Sequence, residues 1–302
     1  MGKYLVSKGL SKGAKVGGFK IVNIEFILAR SRCKVNKCLV HRHATLRRKD
    51  IMSLMPENLM SLNVIECWSI LMNHLEKEEY GDQMRMSFFG IRHMDLLLRM
   101  LGTFEQPGTQ SDSNYDDLYQ IWDTFIVDSE RTVNLKTDLL FVPFCIDDHF
   151  ACVCINHKSN TVDLLDGQRH SDLKKSQFGK AARLISSAVS DYLESRDKEK
   201  KNTRAREIPN YVLRQIPFSG MSPTLNQPES GLFTMMAMLL YEGLPFEHED
   251  LEKKKSRRYL VIQLVATLVL ADMNILREGV LEKVKAFVST KDKLWKMLAT
   301  LM

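Results

Sequence analysis

The sequence predicts an α+β fold in which helices surround a mainly antiparallel sheet. Two observations support this prediction. Apolar segments rich in β-branched and aromatic residues cluster between residues 139 and 165, and segments with helical apolar spacing lie on both sides of that cluster. With 302 residues, of which 44% are hydrophobic, the chain is long enough to bury a full core. Strands grouped together and helices grouped around them are typical of α+β domains.

Four segments are predicted as strands. The first three read as a β-meander, because a polar turn at residues 157–160 joins the second to the third. The fourth comes directly before a proline, which favours its end there. The predicted strands cover residues 139–146, 150–156, 161–165 and 211–216.

Besides helices predicted over residues 94–101, 118–127 and 281–301, four further segments carry apolar residues at helical spacing. The third is apolar on all sides, which is typical of a central buried helix. The fourth contains the longest apolar run, but Gln263 and Asp272 interrupt it, so it fits a core helix better than a membrane span. These four predicted helices cover residues 62–75, 177–194, 230–241 and 257–277.

Basic residues concentrate at the start of the chain. Residues 1–49 carry 13 Lys and Arg against one acid, Glu25, whereas the remainder carries 30 basic and 36 acidic residues. We therefore predict a basic N-terminal arm over residues 1–49 and a globular domain over residues 50–302. The arm is compatible with a nucleic-acid contact, a nuclear address, a transit peptide or a solvated tail. No membrane association is expected, because no uninterrupted apolar stretch approaches about 18 residues.

The six cysteines indicate a reducing compartment. Their spacing matches no disulfide scaffold, so an intracellular location, nucleus or cytoplasm, is expected. Cys33, Cys38, His41 and His43 lie close together, but their spacing matches no common zinc pattern and their surroundings are basic. No metal and no cofactor are therefore expected.

An imidazole and a carboxylate lie at one end of the predicted meander. His149 precedes the second strand and Asp166 follows the third, so antiparallel pairing about the intervening turn brings them within about one residue pair of each other. A carboxylate that accepts the imidazole Nδ1–H orients a general base. The alternative is equally open: His149 as a surface residue and Asp166 as a turn former.

Ser230 opens the predicted central helix. A nucleophile there gains from the positive end of the helix dipole and from backbone N–H groups that can bind an oxyanion. Serine is also a preferred N-cap residue, which needs no chemistry. The coincidence of this serine with the His149 and Asp166 pair favours a nucleophile–base–orienter triad.

Four segments in order resemble the ubiquitin-like-protein-specific protease family, the SUMO-processing cysteine proteases of the adenovirus-protease type, and in particular its plant, transposon-associated branch. The resemblance extends from about Asp50 to the C-terminus. It rests on an opening helix around residues 50–71 and on three motifs. The motifs are Val142-Pro143 followed by His149-Phe150, Leu164-Leu165-Asp166-Gly167, and Glu229-Ser230-Gly231-Leu232-Phe233.

The resemblance implies a papain-like fold with the sheet packed against a central buried helix, and a catalytic set of His149, Asp166 and Ser230. Phe150 stands at the family's Trp position, and Gly231 follows the nucleophile. The family also places an oxyanion-donating Gln six residues before its cysteine. This chain has Thr224 at that position, and its nearest Gln, Gln227, lies only three residues before Ser230.

Serine at the family's cysteine position implies weak or absent cleavage after a SUMO-like or other ubiquitin-like modifier. Three alternatives remain at this point: a modifier-binding pseudoprotease, a working hydrolase (including a serine introduced to trap substrate), and a nucleic-acid-associated protein that acts through its arm.

Overall fold

A computed structural model describes this chain over residues 15–16, 19–20, 37–40, 44–54, 58–92, 94, 119–120, 137–196, 203–216, 229–244 and 254–282. The chain divides into two compact units. One unit combines residues 1–67 with residues 254–302, and the other spans residues 68–253. The domain boundary expected at residue 50 stays a prediction.

The described part of the first unit contains short strands and helices. Strand β1 (Lys15–Val16) pairs with β2 (Phe19–Lys20), and β3 (Lys37–Val40) pairs with β4 (Thr45–Arg47), both antiparallel. Part of the predicted basic arm is thus in hairpins. Helix α1 (Arg48–Met52) follows directly.

Asp50 organises the start of this segment. Its Oδ2 accepts a hydrogen bond from the Arg47 N–H at 2.7 Å, while Oδ1 accepts from Ser61 Oγ at 2.8 Å and from Asn63 Nδ2 at 3.1 Å. The Asp50 carboxylate therefore joins the first turn of α1 to the beginning of the next helix, α2 (Leu62–Tyr80).

Helix α6 (Lys254–Leu270) also belongs to the first unit. The sequence predicted a helix over residues 257–277, so the observed helix starts earlier and ends seven residues sooner. Asn274 explains the early end, because its Nδ2 donates to the Val269 carbonyl at 2.7 Å. A side-chain amide that satisfies one of the last carbonyls substitutes for a continuing helical turn.

The second unit is built on a five-stranded sheet with the order β5-β6-β7-β8-β9. Its strands are β5 (Met86–Phe88), β6 (Leu139–Ile146), β7 (His149–Asn156), β8 (Thr161–Leu165) and β9 (Val212–Ile216). The helices described between and after these strands are α3 (Gln177–Arg196), α4 (Thr203–Glu207) and α5 (Ser230–Leu240).

The α+β class is confirmed, and the sheet is mixed. The three central strands pair antiparallel, as the meander predicted. Both edge strands pair parallel, β5 with β6 and β9 with β8, where the sequence predicted a mainly antiparallel sheet. Parallel neighbours need a long crossover, and α3 lies in the connection between β8 and β9. Apolar periodicity marks a strand but does not say which direction it takes in the sheet.

Helices cover both faces of this sheet. On one face, α3 packs Phe178, Ala182, Ile185 and Val189 against inward residues of β6, β7 and β8. On the other face α5 packs against β7. The helix is buried from Ser230 to Leu239, which explains why its sequence is apolar on all sides. Trp68 Nε1 anchors it by donating to the Met235 carbonyl at 3.1 Å.

The part of α2 that belongs to the second unit, from Trp68 onwards, satisfies the outer edge of the sheet with its side chains. The Asn73 amide acts as a strand would, because its Nδ2 donates to the Phe88 carbonyl at 2.7 Å and its Oδ1 accepts from the Phe88 N–H at 2.9 Å. Glu76 Oε1 accepts from the Arg85 and Met86 N–H groups. The edge strand β5 is thereby satisfied without another strand.

Within the described ranges, no helix combines the length and the apolar character that crossing a bilayer needs. In the same ranges, no group of three or more His, Cys, Asp or Glu side chains is arranged to hold a metal ion. Residues 33, 41 and 43 of the Cys/His set considered above lie outside the described residues.

Candidate active site

A two-residue turn places His149 at the start of β7. Ile146 pairs with His149 across the β6–β7 hairpin, so Asp147 and Asp148 alone make the connection. Both have positive φ, 49° and 62°, as a type I′ turn requires, and Asp tolerates this conformation better than most residues. The imidazole is buried, with a residue exposure of 6%. The alternative of His149 as a surface residue is therefore wrong.

Strand register brings Asp166 to the same end of the sheet. Cys152 lies opposite Leu165 in the β7–β8 pair, so continuing the register places Asp166 opposite Ala151. Because Ala151 is two residues from His149 on β7, Asp166 is a diagonal neighbour of His149. His149 Nε2 lies 2.7 Å from Asp166 Oδ1. The two side chains are 8% and 0% exposed. The predicted juxtaposition is present, and Asp166 is a buried hydrogen-bond acceptor rather than only a turn former.

The ring nitrogen in this contact differs from the expected one. The sequence predicted that Nδ1 of His149 would donate to the carboxylate, whereas in the structure Nε2 faces it. An ionised carboxylate holds no proton, so Nε2 must be the donor and Nδ1 of the neutral ring is the basic nitrogen. The consequence is that Nδ1 of His149 is the atom that can accept a proton from a nucleophile.

Three donors hold the Asp166 carboxylate in place. Oδ1 accepts from His149 and from the Gln168 N–H at 2.9 Å, and Oδ2 accepts from His170 Nε2 at 2.7 Å. Burial opposes ionisation of Asp166, but the hydrogen bonds from His149 and His170 outweigh it and lower the pKa of this carboxyl. Asp166 is therefore the anion that the site needs at neutral pH.

Ser230 lies beside the backbone of this pair. Its Oγ accepts a hydrogen bond from the Phe150 N–H at 3.0 Å, so the hydroxyl contacts the peptide group that joins Phe150 to His149. Ser230 is 2% exposed and Phe150 is 4% exposed. This amide is available because the β7–β8 ladder ends at Cys152 and Leu165.

The N-cap interpretation of Ser230 is not what the structure shows. Glu229 is the N-cap residue of α5 and makes no side-chain capping bond, and Ser230 is the first helical residue. The hydroxyl therefore lies at the positive end of a buried 11-residue helix. Gly231 follows in the first turn and is also buried. Whether these residues act as nucleophile and oxyanion donor stays a prediction.

One polar side chain of this site, His170, was not predicted from the sequence. His170 stands four residues after Asp166, and its side chain is 10% exposed. Its ring stacks on Phe178 of α3 with centroids 5.2 Å apart, while the ring of His149 meets the same Phe178 edge-on at 5.0 Å. The Asp-x-x-x-His spacing was visible in the sequence, but nothing local indicated that the second histidine turns back to the carboxylate.

The proposed oxyanion residues Thr224 and Gln227 lie outside the described residues. The described thiols are Cys67, Cys145, Cys152 and Cys154. Burial raises the pKa of both Cys152 and Cys154, so these two behave as small core hydrophobes. Cys145 is half-buried and lies opposite Phe150 in the β6–β7 register, close in the sheet to the amide that contacts Ser230.

Comparison with known proteins places the fold. A family model described as the Ulp1 protease family, C-terminal catalytic domain, matches residues 58–261. The matched residues include every described residue of the site, from His149 to Ser230. No curated protein sequence matches the chain.

Several solved structures share this fold at low sequence identity. The C-terminal Ulp1 protease domain in complex with Smt3, the yeast ortholog of SUMO, is 14% identical with a TM-score of 0.57, covering 84% of this chain and 95% of that chain. A SUMO protease Ulp1 whose catalytic cysteine is oxidised to a sulfenic acid gives 14% identity and a TM-score of 0.55 over the same shares. The Ulp1-like SUMO protease catalytic domain of Chaetomium thermophilum gives 14% and 0.51, covering 82% of this chain and 86% of that chain.

Proposed function

This chain belongs to the Ulp1 protease family, and we propose that it binds the C-terminal tail of a SUMO-like modifier and hydrolyses the bond after that tail slowly or not at all. The observation that carries the proposal is the hydrogen bond between the Phe150 N–H and Ser230 Oγ, at 3.0 Å. It supports the proposal because the Ser230 hydroxyl lies against the peptide group that joins His149 to Phe150, and Ser230 is the residue that resembles the family's nucleophilic cysteine.

The chemistry of oxygen and sulfur explains the weak hydrolysis. An imidazolium and a helix N-terminus lower the pKa of a cysteine thiol by several units, so a thiolate forms before substrate binds. A serine hydroxyl is too basic to be held ionised in this way and must lose its proton during attack. Serine hydrolases compensate with a complete oxyanion hole, in which one donor contributes about 3–4 kcal/mol. Thr224 stands where the family has its Gln donor, which weakens that compensation.

Binding does not depend on the missing sulfur. Serine and cysteine are nearly isosteric and differ in a single atom, so we expect the substitution to leave the fold and the approach to the site intact. The modifier class is taken from similar proteins, since one solved relative is a complex with the yeast ortholog of SUMO. We accordingly expect retained affinity for a SUMO tail together with very slow turnover.

The decisive experiment compares the wild-type chain with the Ser230→Cys variant on SUMO that carries a C-terminal fluorogenic amide. We expect the variant to turn over at least about 100-fold faster than wild type, because the His149–Asp166 pair can then stabilise a thiolate. Wild type should bind immobilised SUMO without cleaving it. Ubiquitin with the same fluorogenic group serves as the specificity control.

Two other results would contradict the proposal. Fast turnover by wild type that disappears in Ser230→Ala would identify a working serine hydrolase. Failure of both wild type and Ser230→Cys to bind or cleave SUMO would identify a fold without this function. Cys145→Ser in the Ser230→Cys background is the matched control, because Cys145 is the half-buried thiol across the strand from Phe150. We expect no change in turnover.

The basic arm supports a second candidate function. Residues 1–49 hold 13 Lys and Arg against one acid, which suits a nucleic-acid contact or a nuclear address. Binding to a DNA duplex that falls steeply with salt and disappears when residues 1–49 are deleted would support it. Nuclear or cytoplasmic localisation is likewise a proposal, and a fluorescent fusion with and without the arm tests it.

A further inference from the structure

The Asp166 carboxylate is shared by two imidazoles. Its Oδ1 accepts from His149 Nε2 and its Oδ2 accepts from His170 Nε2, both at 2.7 Å. An aspartate that only had to orient one histidine would need only one of its oxygens for that task. The second oxygen here is fully buried and occupied by a ring that the triad does not include.

His170 is held where it stands by contacts independent of Asp166. Its backbone N–H donates to Gln215 Oε1 at 3.1 Å, and Gln215 Nε2 donates back to the Gln168 carbonyl. The Gln215 side chain on β9 therefore holds the backbone of the segment between Asp166 and His170 at two positions, Gln168 and His170. From the other direction, the Phe178 ring of α3 stacks under the His170 imidazole.

A close approach of the chain to α3 keeps this arrangement compact. A Cβ added at Gly179 would overlap the carbonyl oxygen of Leu173, so only glycine lets the segment after His170 lie against the first turn of the helix. Ser176 Oγ accepts from the Gly179 N–H at 3.0 Å and donates to the same Leu173 carbonyl at 2.9 Å. The packing of residues 170–176 against α3 therefore helps to fix the position of His170, in addition to its hydrogen bond to Asp166.

We propose that His170 is a positioning residue for the reaction at residue 230: by donating Nε2–H to Asp166 Oδ2, it holds the carboxylate so that Oδ1 faces His149. This inference rests on the proposed function of the site. Without the His170 N–H, the buried Oδ2 of Asp166 would lack a hydrogen-bond donor, and the carboxylate would rotate to find one. Rotation would remove Oδ1 from the line of His149 Nε2 and loosen the general base.

Two substitutions separate the hydrogen bond from the packing. His170→Phe keeps a flat ring on Phe178 but has no donor. His170→Gln places an amide nitrogen near the position of Nε2 and keeps the donor. In the Ser230→Cys background, we expect His170→Phe to lower kcat by about 10-fold with KM unchanged, since small displacements of a catalytic group cost this much or more. His170→Gln should retain most of kcat.

The matched control is His157→Phe, because His157 is another partly buried histidine, in the turn between β7 and β8, and contacts Tyr211 instead of Asp166. It should leave kcat unchanged. The inference is overturned if His170→Phe keeps kcat within twofold of its parent. It is equally overturned if His170→Gln is as impaired as His170→Phe, since packing of the ring would then be its whole role.

A second readout works in the wild-type chain whether or not any variant is active. Imidazole N–H protons held by a buried carboxylate exchange slowly with water, and 15N-labelled histidine makes them visible by NMR. We expect a protected ring N–H for His149 that persists in His170→Gln and is lost to fast exchange in His170→Phe. An unchanged His149 signal in His170→Phe refutes the inference, even if Ser230→Cys proves inactive and the proposed function fails by itself.

Discussion

Two buried aspartates, three residues apart in the chain, have opposite kinds of partners. Asp163, within β8, accepts from the Arg214 guanidinium, from Tyr241 Oη at 2.5 Å and from Asn156 Nδ2 at 3.3 Å. Asp166, just after the same strand, accepts from two imidazoles and one backbone amide. Both carboxylates are 0% exposed at the side chain.

The difference lies in what the donors can do with a proton. Arg214 stays charged, and its hydrogen bond to Asp163 raises the pKa of the guanidinium further. Burial and the same aspartate raise the pKa of Tyr241. None of these donors changes protonation near neutral pH, so Asp163 is a structural anchor. The imidazoles of His149 and His170 each face Asp166 with Nε2, which leaves the other ring nitrogen, Nδ1, as a proton acceptor. The Asp166 cluster is therefore suited to proton transfer.

The largest expected effect is on catalysis and separates the two aspartates. In the Ser230→Cys background, Asp166→Ala should lower kcat on fluorogenic SUMO by at least about 100-fold, because His149 loses the acceptor that orients its ring. Asp163→Ala, measured at a temperature where it is folded, should keep kcat within a few-fold. Equal losses of kcat in the two variants would erase the distinction.

Stability should show the reverse order. Asp163→Ala removes the carboxylate that pairs with Arg214, which costs about 3 kcal/mol in the free energy of unfolding. This is the low end for a broken buried pair, because the Arg214 side chain is 36% exposed and can rehydrate. Asp166→Ala should cost less, since a neutral imidazole tolerates the loss of a carboxylate better than a cation does. Urea unfolding at pH 7 measures both. A larger loss for Asp166→Ala would contradict the structural role given to Asp163.

His157, in the turn between β7 and β8, should make the free energy of unfolding depend on pH. Burial, and then Arg204, lower the pKa of His157 to about 4. Since the unfolded state binds the proton first, stability falls as pH drops from about 6.5 towards 4, by roughly 2 kcal/mol after allowance for partial exposure of the ring. Urea unfolding of wild type and His157→Phe between pH 7 and pH 4 measures the difference, and identical slopes would rule this out.

Asp166 acts in a lower pH window. Its folded-state pKa is lowered, so its stabilising contribution is complete above the unfolded value of about 4 and is lost only as pH falls below that value. The stability of Asp166→Asn should therefore differ from wild type by a constant amount above pH 5 and converge with it in stronger acid. A difference that changes between pH 7 and pH 5 would indicate another titrating group.

The smallest expected effect removes one hydroxyl from the Asp163 cluster. Tyr241 is fully buried and donates to Asp163 Oδ2. Tyr241→Phe should lower the free energy of unfolding by about 1.5 kcal/mol, the value typical of a hydrogen bond to a charged group. Turnover in the Ser230→Cys background should not change. A loss of activity without a loss of stability would place Tyr241 in the catalytic cluster instead.

Local pattern predicted much of the candidate site. The strands over 139–146 and 161–165 have the predicted bounds, and the helix predicted from residue 230 to residue 241 spans Ser230–Leu240. These agreements arise because apolar periodicity and turn residues act over a few neighbouring positions. The closeness of His149 to Asp166 followed from the same rules, since hairpin register needs only the length of the turn.

The sequence by itself determined which segments would be buried, which residues would meet across the β7–β8 hairpin, and that an alcohol stands at the start of the central helix, because each of these depends on neighbours in the chain. Only the tertiary structure decided that His149 uses Nε2, that His170 shares Asp166, and that the edge strands run parallel. The position of His170, for example, depends on Phe178 and Gln215, which approach the site from separate elements. Contacts between elements that are far apart in the chain do not produce a periodic pattern in the sequence, so periodicity cannot predict them.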